Sequence, residues 1–148
     1  MPKKQTIERV RRDKREGKSA STQAGEFVRE EIEEIRAGKH GARSTKQAIA
    51  IGLSKARRAG VKLAPPKPGK TSEATRRKAQ RDLEKADSGK KLSAKRSRAT
   101  LKALQRESAA AASPEALSRQ TRTAARKRSA AERSASAKKA ARARKGGK

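Results

Sequence analysis

The residues of this chain that could do chemistry are its lysines and arginines, which recur in short clusters from end to end. The 148 residues include 43 Lys and Arg against 15 Asp and Glu, a formal net charge of +28. A solvated surface usually interleaves charges of both signs, whereas residues 116–131 and 133–148 contain no acid. Dispersed cations can follow a phosphate backbone and release its counterions. The pattern predicts binding to a polyanion, and we expect that partner to be duplex DNA.

The basic clusters define the candidate DNA-binding residues. We expect phosphate contacts from Lys46, Lys55, Arg57, Arg58, Lys62, Arg76, Arg77, Lys78, Lys95, Arg96, Arg126, Lys127, Arg128, Lys138, Lys139, Arg142, Arg144 and Lys145. The chain has no Trp or Tyr, and we expect its one Phe, Phe27, to lie in the core. Because base stacking requires exposed aromatic rings, contacts to the backbone of a duplex are favoured over single-strand binding.

No pattern in the sequence predicts an active site. Without Cys, disulfides and thiol chemistry are excluded. His40, the only histidine, lies in a Gly-containing loop with no evident second metal ligand or nucleophile. Gly69-Lys70-Thr71 is similar to the end of a phosphate-binding P-loop, but Ala64 replaces the earlier Gly and the intervening prolines lack amide donors. We therefore expect no enzymatic activity, cofactor, metal or small-molecule substrate.

Four glutamates gather on one side of the first predicted hairpin helix: Glu26, Glu30, Glu33 and Glu34. They could bind a cation, but we favour a solvated face that also pairs with the basic C-terminal part of the chain.

The elements that must position the cations are predicted to be helical. In residues 22–63, Ala24, Val28, Ile32 and Ile35 repeat at helical spacing, which predicts a helix over 23–37. A capping box, Ser44-Thr45-Lys46-Gln47, opens a second helix, and Gly60 with Val61 favours a Schellman-type end. The two helices form an antiparallel hairpin, which Ile7 and Val10 or a second copy of the chain would help to cover. A homodimer through this hairpin is one possible assembly.

Four segments follow from this pattern: a charged N-terminal arm (1–21), the helical hairpin (22–63), a stiff Pro-rich linker (64–70) and a basic low-complexity tail (71–148). Twelve of the 17 Val, Ile, Leu, Met and Phe residues lie in 1–63. Since the tail has little to bury, we expect it to be largely disordered or intermittently helical. The expected fold class is all-α.

The longest apolar run, Ala48–Leu53, is far too short to span a bilayer, and the N-terminus has no signal-peptide pattern. We expect a cytoplasmic, nucleoid-associated protein that does not bind membranes.

Residues 21–28, STQAGEFV, and 38–60, GKHGARSTKQAIAIGLSKARRAG, closely resemble an uncharacterised family of small basic bacterial DNA-binding-type proteins. The tail is similar in composition to those of bacterial histone H1-like proteins. The resemblance implies a bacterial source and a DNA-associated role, and it brings no catalytic residues.

The expected function is non-enzymatic, largely sequence-nonspecific binding of duplex DNA, as in histone-like proteins. An RNA- or ribosome-associated basic protein is the main alternative, because charge alone does not separate duplex DNA from structured RNA. A sequence-specific regulator that uses the hairpin as a helix-turn-helix is a third possibility.

Overall fold

The computed structural model describes residues 2–146, which form seven α-helices and one short 3-10 turn. The helices are α1 (Lys4–Arg15), α2 (Ala20–Arg36), α3 (Thr45–Arg58), α4 (Glu73–Ser88), α5 (Ala94–Gln105), α6 (Pro114–Arg126) and α7 (Ala130–Gly146), and the 3-10 turn covers Ala109–Ala112. The contacts divide the chain into two units, one ending at Ser113 and one beginning at Pro114. The all-α prediction is confirmed.

The core of the first unit lies between α2 and α3. Phe27, which is 1% exposed, packs there with Ala24, Ala56 and Val61. Ile7 and Val10 of α1 pack against this core, as the small size of the hairpin predicts. The N-terminal helix is therefore part of the folded unit.

The predicted ends of α3 are also confirmed. The Ser44 hydroxyl accepts a hydrogen bond from the Gln47 amide at 3.1 Å, and the Gln47 side chain accepts one from the Arg43 amide at 2.6 Å. At the other end, the Val61 amide donates to the Ala56 carbonyl at 3.0 Å, which is the long bond of a Schellman motif.

The prediction of a largely disordered or intermittently helical tail is wrong. Residues 73–146 hold four of the helices, and α4 packs on α3. Ala79 of α4 is buried, and the Ser54 hydroxyl of α3 donates to Asp82 of α4 at 2.6 Å. Counting only bulky apolar residues missed this contact, because alanine is the strongest helix former and lets helices approach closely.

The prediction of a Pro-rich linker that separates two parts of the chain is also wrong. Arg57 of α3 donates through Nε to the Leu63 carbonyl at 3.0 Å and through Nη2 to the Ala64 carbonyl at 3.3 Å. Arg76 of α4 donates to the Pro66 carbonyl at 3.0 Å. Proline lacks an amide donor but keeps its carbonyl acceptor. The segment is therefore held against α3 and α4.

A second long-range contact joins the end of α5 and the segment after it to the α2–α3 loop and the helix ends beside that loop. The Gly41 amide donates to the Leu104 carbonyl at 2.9 Å, and the Thr45 hydroxyl donates to the Ala111 carbonyl at 2.7 Å. Arg36 donates to the Ala112 carbonyl at 2.8 Å, and Ala112 is completely buried. These bonds fix the C-terminal end of α5 to the hairpin.

Candidate nucleic-acid interface

The clearest basic surface of the first unit is a stripe on α5 formed by Lys95, Arg98 and Lys102, here called the α5 stripe. All three are exposed. Their spacing of three and four residues places them within about 60° of one another around the helix and spreads them over about 10 Å. Residues 88–106 contain no acid, and within residues 2–146 none of the three forms an ion pair.

This surface lies opposite Leu104, the least exposed residue of α5. Leu104, whose carbonyl accepts the Gly41 amide, is half-buried and lies on the side of the helix opposite Lys95. The contact therefore leaves the cations free. Arg96, which the sequence also singled out, is exposed but lies about 100° away from Lys95 around the helix.

In the second unit, basic residues recur at spacings of three and four on both α6 and α7. Arg119, Arg122 and Arg126 lie three and four residues apart on one side of α6. On α7 Lys138, Arg142 and Lys145 lie four and three residues apart on one side of the helix, whereas Lys139 and Arg144 lie about 100° or more away from Lys138. All five are exposed. Lys127 and Arg128 are exposed in the turn between the two helices, where Arg128 hydrogen-bonds Ser136.

Most of the predicted cations on α3 already have partners inside the first unit. Arg57 is 7% exposed, and burial lowers its pKa although the charge of Asp82 acts the other way. Lys55 pairs with Glu31 at 2.6 Å, and the Arg58 Nε lies 3.9 Å from Asp82. Lys46 alone is exposed among the cations of this helix. The structure therefore gives α3 a mainly internal set of polar contacts.

The predicted cations on and near α4 lie at the surface, and most of them are paired with acids. Arg76 and Arg77 pair with Glu73 of the same helix at 2.9 and 3.8 Å. Lys62 pairs with Asp87 at 2.8 Å on an exposed surface. Lys78 is exposed.

Sequence reasoning missed Arg98, Lys102, Arg119 and Arg122, which complete the stripes on α5 and α6. Searching for adjacent basic residues finds pairs such as Lys95-Arg96, but neighbours in sequence point about 100° apart on a helix. A search at spacings of three and four would have found the stripes.

A buried ionic cluster under the α2–α3 loop was also missed. The Nε2 of His40 lies 3.1 Å from Glu31 Oε1 and 3.9 Å from Glu34 Oε2. The Lys55 ammonium lies 2.6 Å from Glu31 Oε2 and 3.6 Å from Glu34 Oε2. Burial alone would lower the pKa of Lys55, but the hydrogen bond to Glu31 and the charges of nearby glutamates outweigh burial and raise it. Lys55 therefore stays charged.

The glutamates of α2 pair with their own unit. Glu26 accepts a hydrogen bond from Arg9 of α1 at 2.5 Å, and the buried Glu30 accepts one from the Lys3 amide at 3.1 Å. Glu33 pairs with Arg29 at 2.9 Å, and this hydrogen bond lowers the pKa of Glu33. These contacts are local or with α1, so they leave the cations of α5 uncompensated.

No helix within residues 2–146 is both long and apolar enough to cross a membrane. No curated protein and no solved structure matches the chain. Residues 3–68, which cover α1 to α3 and most of the Pro-rich segment, match the model of a family of unknown function, DUF6496.

Proposed function

We propose that this protein binds duplex DNA without enzymatic activity and with little sequence preference, as a nucleoid-associated, histone-like protein. The observation that carries the proposal is the α5 stripe, an exposed and acid-free row of cations on a helix whose C-terminal end is bonded to the α2–α3 loop. The exposed cations of α6 and α7 would supply further phosphate contacts from the second unit.

The dimensions of the α5 stripe suit a phosphate backbone. One DNA strand carries a phosphate every 3.4 Å of axis, so about 10 Å of helix faces about three phosphates. Lysine and arginine need no fixed geometry to neutralise phosphates. Contacts of this kind position a protein on DNA and do not read its sequence.

Two further observations support backbone binding over base reading. The buried Phe27 offers no stacking surface for unpaired bases. On α3, the helix that would read the major groove, Gln47 is engaged in the cap, and Lys55 and Arg57 are engaged with α2 and the Pro-rich segment. A helix that reads bases needs free polar side chains at such positions.

The test is a fluorescence-anisotropy titration of the full chain with two duplexes of unrelated sequence at several salt concentrations. We expect similar affinities for both duplexes and a logarithm of the binding constant that falls linearly with the logarithm of salt, by about 0.9 per phosphate neutralised. A slope near zero would contradict the proposal, and strong preference for one duplex would favour a regulator instead.

A charge-matched pair of variants tests the α5 stripe itself. The variant K95Q/R98Q/K102Q should reduce the salt slope by about 2.7, or 0.9 for each lost contact. The control R12Q/R29Q/K39Q removes the same charge from exposed cations that each pair with an acid of the first unit and that are not among the predicted DNA-binding residues. We expect the control to change the slope much less. Equal effects would show that net charge alone acts and that the stripe is not a site.

Competition at fixed salt separates DNA from RNA as the target. We expect unlabelled duplex DNA to displace the labelled duplex at lower concentration than structured RNA of equal length. The reverse order would identify an RNA-binding protein.

A further inference from the structure

The cluster under the α2–α3 loop brings together three side chains that can ligate a metal ion. Glu31 and Glu34 lie one turn apart on α2, and His40 follows the helix by four residues, which folds its ring back over them. One ligand atom from each residue lies within 4.8 Å of the other two.

One atom of this cluster is buried without a hydrogen-bond donor. The Glu31 side chain is completely buried, and its Oε2 accepts a hydrogen bond from the Lys55 ammonium. Within the described residues, Glu31 Oε1 has no hydrogen-bond partner. A buried carboxylate oxygen left unpaired is costly, so its surroundings should supply a positive group.

The geometry of His40 sharpens this requirement. Its Nδ1 lies 2.9 Å from the Gly41 carbonyl, which can only accept, so Nδ1 carries a proton. In the neutral ring Nε2 is then an acceptor, and it lies 3.1 Å from the acceptor Glu31 Oε1. With that tautomer, a metal ion bound between Nε2 and Oε1 would satisfy both lone pairs.

We propose that Glu31, Glu34 and His40 form a binding site for one divalent transition-metal ion of the zinc class. Zinc binds imidazole nitrogen and carboxylate oxygen at about 2.0–2.2 Å, which sets tetrahedral ligand atoms about 3.3 Å apart. The Nε2–Oε1 distance of 3.1 Å and the Nε2–Oε2 distance of 3.9 Å to Glu34 bracket that value. An imidazole ligand favours zinc over magnesium or calcium.

The groups around the three ligands are those that metal sites use to orient their ligands. The Gly41 carbonyl fixes the His40 tautomer that exposes Nε2, and Lys55 holds the other oxygen of Glu31. The two carboxylates are balanced by two ammoniums within 3.9 Å of them, those of Lys55 and of the exposed Lys39, so the ligand atoms and not a net negative charge would hold the ion. Three protein ligands leave a fourth position for water.

The proposed metal site does not depend on the proposed DNA binding. A bound ion would tie the α2–α3 loop to α2, and the same loop carries Gly41, which contacts the segment after α5.

The test uses the untagged full chain, titrated with zinc by calorimetry and with Co²⁺ by visible absorption. We expect one ion per chain, a rise in Tm with zinc, and intense tetrahedral Co²⁺ bands. The variants H40Q and E34Q should weaken zinc binding at least tenfold. The control E33Q alters a neighbouring exposed glutamate that pairs with Arg29 and should leave binding unchanged.

Two results would overturn the site. One is the absence of saturable zinc binding to the wild-type chain, or binding that H40Q and E34Q leave intact. The other is a ¹⁵N NMR spectrum that shows both His40 ring nitrogens protonated at neutral pH with zinc present, because a proton would then be the cation between the ring and Glu31.

Discussion

At the scale of single residues, the least replaceable side chain of the buried cluster is Lys55. Its ammonium is the hydrogen-bond donor to Glu31, a carboxylate with no exposed surface. Replacing Lys55 with Met would leave that charge buried and unpaired, which should lower the free energy of unfolding by about 1–3 kcal/mol. The control K39M removes an exposed ammonium 3.9 Å from Glu34 and should cost less than about 0.5 kcal/mol. Urea unfolding followed by circular dichroism measures both.

The difference in stability between wild type and K55M should change with pH in one direction. Because the pKa of Lys55 is raised above its ordinary value of 10.5 in the folded chain, its stabilising contribution is complete below that value. The contribution fades as pH rises through the higher folded-state pKa. The difference in stability between wild type and K55M should therefore shrink above pH 10.5. A difference that stayed constant or grew with pH would contradict the assigned ion pair.

Sequence patterns predicted the roles of residues that cap a helix or lie on its apolar face. The caps at Ser44 and Gly60 and the burial of Phe27 follow from local spacing. The role of Arg57 could not be predicted in this way. Its partners are backbone carbonyls of the following residues, and nothing in the sequence distinguishes such an arginine from one exposed to solvent.

At the scale of elements, the contact between the segment after α5 and the α2–α3 loop depends on a glycine. A Cβ on Gly41 would clash with the backbone carbonyl of Glu107. Gly41→Ala should therefore weaken the contact and lower the free energy of unfolding by about 1–3 kcal/mol. In the control Gly25→Ala, the new Cβ meets nothing within 4 Å in the middle of α2, and we expect a gain of about 0.5–1 kcal/mol. Equal effects of the two substitutions would contradict the contact.

The helices after residue 71 show why composition led to the wrong prediction of a largely disordered tail. Serine caps begin them: Ser72 accepts from the Thr75 amide at 3.3 Å, and Ser93 accepts from the Arg96 amide at 3.4 Å. Before α7, Ser129 and Glu132 exchange hydrogen bonds in a capping box. These signals are present in the sequence, but a count of bulky apolar residues and of charge does not include them. Buried alanines such as Ala112 contact positions far away in sequence, which no local pattern reveals.

At the scale of the whole molecule, a net charge of +28 opposes the folded state through self-repulsion. Screening weakens that repulsion, since the Debye length falls from about 30 Å at 0.01 M salt to about 10 Å at 0.1 M. We therefore expect Tm in scanning calorimetry to rise between these two salt concentrations, the opposite of the effect expected of salt on the proposed DNA binding. A Tm that fell with salt would show that internal ion pairs outweigh the repulsion.

The hydrogen bond from Thr45 to Ala111 joins positions 66 residues apart and closes the intervening chain into a ring, with α4 packed on α3 partway round. A break in the exposed stretch between α4 and α5 would leave the hairpin and α4 on one fragment, and on the other the residues from Leu104 to Ala112 that hydrogen-bond the hairpin. The protein could accordingly be produced as two separate polypeptides that reassociate, which would allow the basic half to be exchanged without refolding its partner.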